Sequence, residues 1–374
     1  MTIKKPGIAI IINGGIGVGF GLEGVICLVN LCEQIAKDYE LVVFSLVKVN
    51  KIYKPKGYQL IGVPFEDNQS IILRFGYIFF KIIHLHFKRK FLIVHGFWAF
   101  PAGTLTLLIG KLLGLKTLVT FMGGEVANLE SIGYGLYSSR MLKKLIQFTA
   151  RNVDCVIALT NHHARKLRDN LTFKRIEIIA FGVDLTRFLV FNKPISSPYQ
   201  FLYLGDINKV KNIPMLIKTF QEISKKIEAR LDIVGLDTLN GEMQALVCQL
   251  SLGERVTFHG RQLNNSLANF LRKAHILLHT SFWESQAVVV NEAIAAGVVV
   301  CGTRVGIIED LEGYITTAVA IDDSANLTHK VLELFNNPVK YDMLRASGIA
   351  WSKQNNLIIQ CEKYSKLYSK LIEK

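Results

Sequence analysis

Short apolar runs alternate along this chain with longer stretches in which apolar residues return every three or four positions. The first pattern reads as buried strands, the second as helices with one face turned inward. In the first half the alternation predicts strands at 8–12, 41–47, 91–95, 117–121, 153–159 and 176–180, with helices near 21–37, 102–113, 138–150 and 161–170. In the second half strands are expected at 201–205, 231–235, 255–258, 275–280 and 297–302. A helix over 213–229 is well marked there: Leu216, Ile217, Phe220, Ile223 and Ile227 recur at helical spacing, with Lys218, Lys225 and Lys226 on the other side. Strand–helix alternation predicts parallel sheets covered by helices on both faces. The pattern lapses into Pro, Ser and Asn at 187–200, so the chain is read as α/β with two doubly wound domains, 1–190 and 198–350. Ligands of such sheets lie beyond the carboxyl ends of the strands, and two such domains facing each other create a central cleft.

A length of 374 residues, half of them hydrophobic, suits two domains with separate cores. Residues 91–110 contain no Lys, Arg, Asp or Glu and have the length of a membrane span. Pro101, His95 and the glycines fit better a buried strand, a ligand-lining loop and a helix start. The N-terminal stretch lacks the unbroken apolar core of a signal peptide, so export is not expected. The six cysteines are scattered without a Cys-x-x-Cys pair, the pattern of reduced, buried thiols in a cytoplasmic protein.

The net charge of +14 is unevenly placed: residues 1–187 hold 24 Lys or Arg against 12 Asp or Glu, the remainder 20 against 18. Basic and apolar residues are interleaved at 74–90 and 139–151. Such segments are either solvated helix faces or surfaces that lie on anionic lipid. No nucleic-acid-binding motif accompanies the charge, so nucleic acid is not expected as a partner.

Three features carry candidate chemistry. The first is the glycine-rich stretch "IAIIINGGIGVGFGLEG", 8–24, whose Gly19, Gly21 and Gly24 match the dinucleotide pattern G-x-G-x-x-G. The match stands about six residues beyond its strand, and the next strand runs into Lys48, Val49 and Asn50 rather than an acidic residue. A turn, a glycine loop shaping another cleft, and an NAD-binding site therefore all stand at this point. The second is "TSFWESQAVVVNEAIAAGVVVCGTRVG", 280–306. Glu292 shares a helical face with Val288, Val289, Ala295 and Ala296, a costly place for a charge unless ligand hydroxyls or an internal cation answer it. Glu284 lies on the loop after a strand, the cleft side, and the N–H groups around Ser285, Gln286, Ala287 and Val288 suit an anion. The third is "FLYLGDINKVKNIP", which sets Lys211 just before a helix that starts at Asn212–Pro214, in a position suited to a diphosphate.

With "NGGIGVG", "VHGFWAFPAG", "TFMGGEV", "IEIIAFGVDLTRF", "YLGDINKVKN", "LDIVG", "RVTFHG", "TSFWESQAVVVNEAIAAG" and "RVG" in this order, nearly the whole chain resembles the group-1 (family 4) retaining glycosyltransferases. The resemblance implies the GT-B fold of two Rossmann-like domains, with 351–374 forming a final helix that returns to the first domain. It implies a UDP- or GDP-sugar donor on the second domain, a glycan or polyprenyl-diphosphate-linked acceptor on the first, and no cofactor. Glu284 would meet the transferred sugar and Lys211 the diphosphate, as the catalytic pair, and Glu292 the ribose. Gly14, Gly15 and Gly205 would lie beside the donor, and His95, Gly123, Gly124 and Glu125 on the acceptor side. The glycines would then admit a diphosphate, and the dinucleotide match would be incidental. With no Asp-x-Asp element, metal is not required, and Asp322–Asp323 is read as a turn.

The chain departs from the family pattern at Asp206, where Arg is common, and at Met122, where many members carry His. Ser285, Gln286 and Ala287 replace helix-start glycines, and Val299 replaces Pro. The expectation is a metal-independent hexosyltransferase of bacterial surface-polysaccharide synthesis (lipopolysaccharide or capsule), peripheral on the inner face of the cytoplasmic membrane. The alternatives are an NAD(P)-dependent oxidoreductase and a catalytically silent sugar-nucleotide-binding homologue.

Overall fold

In the computed structural model, which describes residues 5–22, 24–66, 69–188, 190 and 195–373, every strand pairing is parallel and the strands form two sheets. The chain divides into two units, Met1–Phe181 with Leu357–Lys374, and Gly182–Asn356. The first boundary lies upstream of the Pro/Ser/Asn stretch because Val183 and Phe188 are already part of the second core. The second lies at 356/357 rather than 350/351 because Trp351 still packs against that same core.

In the first unit β1 (Gly7–Ile12), α1 (Ile26–Ile35), β2 (Glu40–Ser45), β3 (Gln59–Gly62), α2 (Ile71–Arg89), β4 (Phe91–Phe97), α3 (Thr104–Leu113), β5 (Lys116–Thr120), α4 (Arg140–Asn152), β6 (Cys155–Ala158), α5 (Asn161–Asn170) and β7 (Ile176–Ile178) build a seven-stranded sheet of order β3-β2-β1-β4-β5-β6-β7. In the second unit β8 (Tyr199–Leu204), α6 (Ile213–Ser224), β9 (Ala229–Val234), α7 (Glu242–Gln249), β10 (Val256–Phe258), α8 (Asn264–Lys273), β11 (Ile276–His279), α9 (Val288–Ala295), β12 (Val299–Thr303), α10 (Gly306–Asp310), β13 (Thr316–Val319), α11 (Ser324–Asn336) and α12 (Pro338–Gln354) build a six-stranded sheet of order β10-β9-β8-β11-β12-β13. The last helix, α13 (Leu357–Ile372), returns to the first unit and packs on α1 and β4. Central strands such as β1 are buried at every position, as a sheet covered on both faces requires.

Helix starts follow local chemistry. The Ser139, Thr160 and Asp323 side chains accept from the N–H groups of Leu142, His163 and Asn326, capping α4, α5 and α11, and Pro214 stands in the first turn of α6. The helix expected from 21 begins only at Ile26, because the glycine loop folds on itself. Val25 N–H donates to the Gly15 carbonyl at 2.7 Å, and a Cβ at Gly24 would lie 2.3 Å from that oxygen.

Helix α2 and the short β3 were not marked by the pattern. Apolar residues surround α2: Ile78 and Ile82 enter the core while Ile72, Leu73, Phe80 and Phe87 face solvent, so the helical period is blurred. The acid-free run 91–110 is β4, an irregular turn at Ala99–Gly103, and α3. Among the described residues no helix is long and apolar enough to cross a membrane. No disulfide joins the described cysteines; Cys27, Cys32, Cys155 and Cys301 are buried as expected, but Cys248 is exposed on α7 and Cys361 half-buried.

His95 is a correction. It lies within β4, fully buried, with Nδ1 2.8 Å from the Tyr368 hydroxyl and Nε2 2.8 Å from Thr120 Oγ1. Its role is to join the sheet to α13, and the acceptor-side reading of this residue is withdrawn. Burial pushes its pKa down from 6.5 to about 3. The unfolded chain therefore takes up this proton first, and the stability contributed by the neutral ring is lost as pH falls below 6.5. Tyr368→Phe, which leaves one ring nitrogen unpaired, is expected to destabilise the first unit by about 1–2 kcal/mol. Thermal unfolding at pH 7 checks this, and a further fall in wild-type Tm at pH 5 checks the linkage.

Candidate functional site

Each sheet reverses its strand order once, β1 against β4 and β8 against β11, and the loops leaving those strands at their carboxyl ends diverge. In the second unit those loops carry Gly205–Asn212 after β8 and Thr280–Ala287 after β11. They are tied together. Thr280 Oγ1 donates to the carbonyls of Lys211 (3.1 Å) and Asn212 (3.0 Å), and Phe282 N–H donates to the Val210 carbonyl at 2.8 Å. Asn212, left-handed at φ 49°, closes the turn before α6 and donates its amide to Asp322 at 2.6 Å.

This arrangement brings Lys211 onto Glu284. The ammonium and the carboxylate form an ion pair through Oε1, which also takes Ser281 Oγ at 2.8 Å and His279 Nε2 at 3.1 Å. Burial alone would raise the Glu284 pKa, but Lys211, together with His279, outweighs it and holds the carboxyl well below the usual range. Glu284 is thus an ionised carboxylate in a nearly dry place.

The next residues start α9. Ala287 takes φ 67° at the N-cap, no side chain caps the helix, and Ser285 and Gln286 are buried. Beneath them lies Gly306: a Cβ there would meet the Gln286 carbonyl at 2.8 Å and Glu284 Cβ at 3.0 Å, while Ile307 N–H donates to Gln286 O at 3.0 Å. Glycine at 306 lets the loop bearing Glu284 rest directly on the turn after β12.

Glu292 stands one turn beyond Val288, and its carboxylate faces a pocket of about 190 Å³ lined by Gly205, Asp206, Gly235, Arg261, Val289 and others. No ion pair or hydrogen bond to it is seen among the described residues. Burial pushes its pKa up from 4.5 to about 7, with Arg187 pulling the other way. The two glutamates, one just before α9 and one within it, therefore have pKa values pushed in opposite directions.

The first unit places Asn13, Gly14 and Gly15 after β1, Trp98–Gly103 after β4, and Met122–Glu125 after β5. Asn13 clamps the β4 loop, its side chain donating to the Phe100 carbonyl (2.9 Å) and accepting from Ala102 N–H (3.0 Å). Glu125 is only 2% exposed, its carboxylate accepting from Met122, Gly123 and Ala99 N–H groups at 2.8, 2.6 and 3.3 Å. It organises two loops and presents no carboxylate to a ligand, while Gly123 and Gly124 remain half-exposed beside it. Sequence reasoning missed Asn13, His279, Ser281 and Arg261. A polar residue closing an otherwise apolar strand, as His279 closes "ILLH", was the available signal.

Residues 188–351 match the family Glycosyl transferases group 1, and residues 24–187 match Glycosyltransferase Family 4. The chain belongs to the group-1 glycosyltransferases. An uncharacterized glycosyltransferase of Methanocaldococcus jannaschii is 25% identical over 265 residues, 70% of each chain. Sucrose-phosphate synthase from Thermosynechococcus elongatus superposes with a TM-score of 0.82 at 19% identity, over 99% of this chain and 100% of that one. Anabaena HepE in complex with UDP and glucose superposes at 0.78 and 12% identity, over 97% and 99%. The fold of this glycosyltransferase is GT-B.

Two of the departures from the family pattern, Asp206 and Ala287, have local explanations. Asp206 serves its turn: its carboxylate accepts Leu236 N–H at 3.2 Å and its carbonyl accepts the Tyr203 hydroxyl at 3.0 Å. Ala287 occupies a left-handed position natural to glycine, a strain of about 1 kcal/mol. Asp322 and Asp323 form a turn and the cap of α11, and among the described residues no three His, Cys, Asp or Glu side chains gather as a metal site. Nothing in the structure explains Met122.

Glu292 yields a stability prediction for this glycosyltransferase. Its folded pKa lies above its unfolded value, so the folded state holds the extra proton between pH 4.5 and about 7, and stability falls as pH rises through that window. Glu292→Gln is expected to match wild type in stability at pH 4.5 and to exceed it increasingly up to pH 8, by at most about 3 kcal/mol. Thermal unfolding across that range measures the divergence.

Proposed function

We propose that this glycosyltransferase moves a hexose from a UDP- or GDP-sugar, with retention of configuration and without a metal ion, to a lipid-linked glycan acceptor in bacterial surface-polysaccharide synthesis. The observation that carries the reading is the convergence of Lys211, Glu284 and the start of α9 at the switch point of one sheet, beside the Glu292 pocket. The presence of UDP and glucose in the Anabaena neighbour supports a nucleotide-sugar donor. Lys211 neutralises the departing diphosphate together with the N–H groups at the start of α9, the electrostatic work that a metal does elsewhere. Glu284 accepts from hydroxyls of the transferred sugar. Glu292 accepts from the ribose, and does so more strongly when ionised. In this reading Gly14 and Gly15 serve the donor, and Gly123 and Gly124, half-exposed after β5, serve the acceptor.

Calorimetry with UDP, GDP and UDP-glucose, with NAD as control, tests the donor. Lys211→Ala and Glu292→Gln should each weaken donor binding about tenfold or more, the worth of one charged hydrogen bond, while Glu284→Ala should reduce turnover more than UDP affinity. Wild-type affinity for UDP-glucose should weaken as pH falls below about 7, where Glu292 takes its proton, and that dependence should vanish in Glu292→Gln. Tight NAD binding without cleavage of any nucleotide sugar overturns the reading.

The lipid-linked acceptor and the inner-membrane location rest on one face of the first unit. Helices α2, α3 and α4 pack in a row and carry nine Lys or Arg and no Asp or Glu. Leu73, Phe80 and Phe87, seven residues apart, form an exposed apolar stripe along α2, continued by Leu112 on α3 and Met141 and Phe148 on α4. Phe75, Tyr77 and Phe79 of the same helix pack on the core instead, and Arg89 is bound to Glu40 and Gln59. An anionic bilayer answers both the charge and the apolar stripe. In liposome flotation the protein should bind anionic vesicles at low salt and release at high salt. Phe80→Ser/Phe87→Ser and Lys88→Glu/Lys90→Glu should each abolish binding. Equal binding to neutral vesicles, or none to anionic ones, favours a soluble acceptor.

A further inference from the structure

Three donors meet on one oxygen of Glu284. Lys211 Nζ, Ser281 Oγ and His279 Nε2 all bond to Oε1, and among the described residues none bonds to Oε2. His279 ends β11, is 1% exposed, and has Nδ1 buried without a partner. A proton on Nδ1 would have no partner, whereas an N–H at Nε2 is aimed at Oε1. Ser281 Oγ lies 3.1 Å from the same Nε2, close enough to accept a share of its N–H while giving its own O–H to Oε1. Their backbone is fixed as well, since Thr303 Oγ1 donates to the Ser281 carbonyl at 2.6 Å.

This matters because Lys211 has two claims on it. A lysine that turns toward a diphosphate leaves Glu284, and a carboxylate held by one flexible ammonium would then swing freely about its terminal torsion. Donors on the end of a buried strand do not move with the lysine. We propose that His279, together with Ser281, is a positioning residue that holds Oε1 of Glu284 and so keeps Oε2 as the acceptor for a donor-sugar hydroxyl while Lys211 engages the diphosphate. The inference rests on the nucleotide-sugar reading of this site.

The test compares UDP with UDP-glucose on wild type, His279→Leu, His279→Gln and Ser281→Ala. His279→Leu should bind UDP within about twofold of wild type, lose about tenfold of its affinity for UDP-glucose relative to UDP, and hydrolyse UDP-glucose more slowly through kcat. His279→Gln, whose amide N–H can occupy the Nε2 position, should recover most of both. Ser281→Ala, a smaller change, should show the same preference loss in weaker form even where the leucine variant folds poorly. A leucine or alanine variant whose UDP-glucose to UDP affinity ratio equals that of wild type overturns the proposal, as does equal loss of Tm and UDP affinity in the leucine and glutamine variants. Failure of wild type to bind UDP-glucose overturns the donor reading and this proposal with it.

Discussion

A parallel sheet covered on both faces by helices has no place along its strands for an unpaired charge, so polar chemistry must collect where the strands end. Both units of this glycosyltransferase obey that constraint. The inner strands are mostly apolar, and polar side chains on them are answered: His95 within β4 has a hydroxyl on each ring nitrogen and stays neutral, and the part-buried Asp232 on β9 is bonded by Gln200 and His259. Beyond the carboxyl ends Asn13, Glu125, Lys211 and Glu284 appear in turn, and all but Glu125 lie where strand order reverses. The positions of these groups follow from topology before any ligand is considered.

Two glutamates eight positions apart show how far local surroundings decide chemistry. Glu284 and Glu292 are both partly buried, and burial pushes both toward neutrality. Three donors on Glu284 reverse the tendency, whereas Glu292 has only the distant pull of Arg187 and titrates near neutral pH. One carboxylate is preorganised; the other awaits partners. That division suits a site in which one acid is held in place for the reacting sugar and the other gains its hydrogen bonds only when a ribose arrives.

What the sequence disclosed followed the same physics. Strands of the buried sheets, the α6 stripe and the two-glutamate element were legible because burial and helical period mark them directly. The start of α1 was not, since the contact that delays it, Gly24 on the Gly15 carbonyl, is a backbone packing event with no side-chain signature. Glu125 looked available for an acceptor, but three N–H groups from two separate loops consume it, and one of them, on Ala99, is distant in sequence. His95 misled for a related reason: its partner Tyr368 lies 273 residues away on α13. The fold class was readable from local pattern; the use made of each polar residue depended on non-local partners.

The same reasoning bears on α2, the helix whose period was blurred. A helix apolar on all sides normally lies in a core, yet α2 covers only one side of the first sheet and leaves Phe80 at 69% and Phe87 at 75% exposure. Hydrophobic residues on a monomer's surface are ordinary when scattered, but here they repeat every seven positions along one line. That line is shared with helices from which acidic residues are missing altogether. Solubility alone would be served better by acidic residues than by more lysine, and it does not account for phenylalanine. A surface that is both basic and apolar is matched by a partner that is both anionic and apolar, and the lipid–water boundary is one such partner.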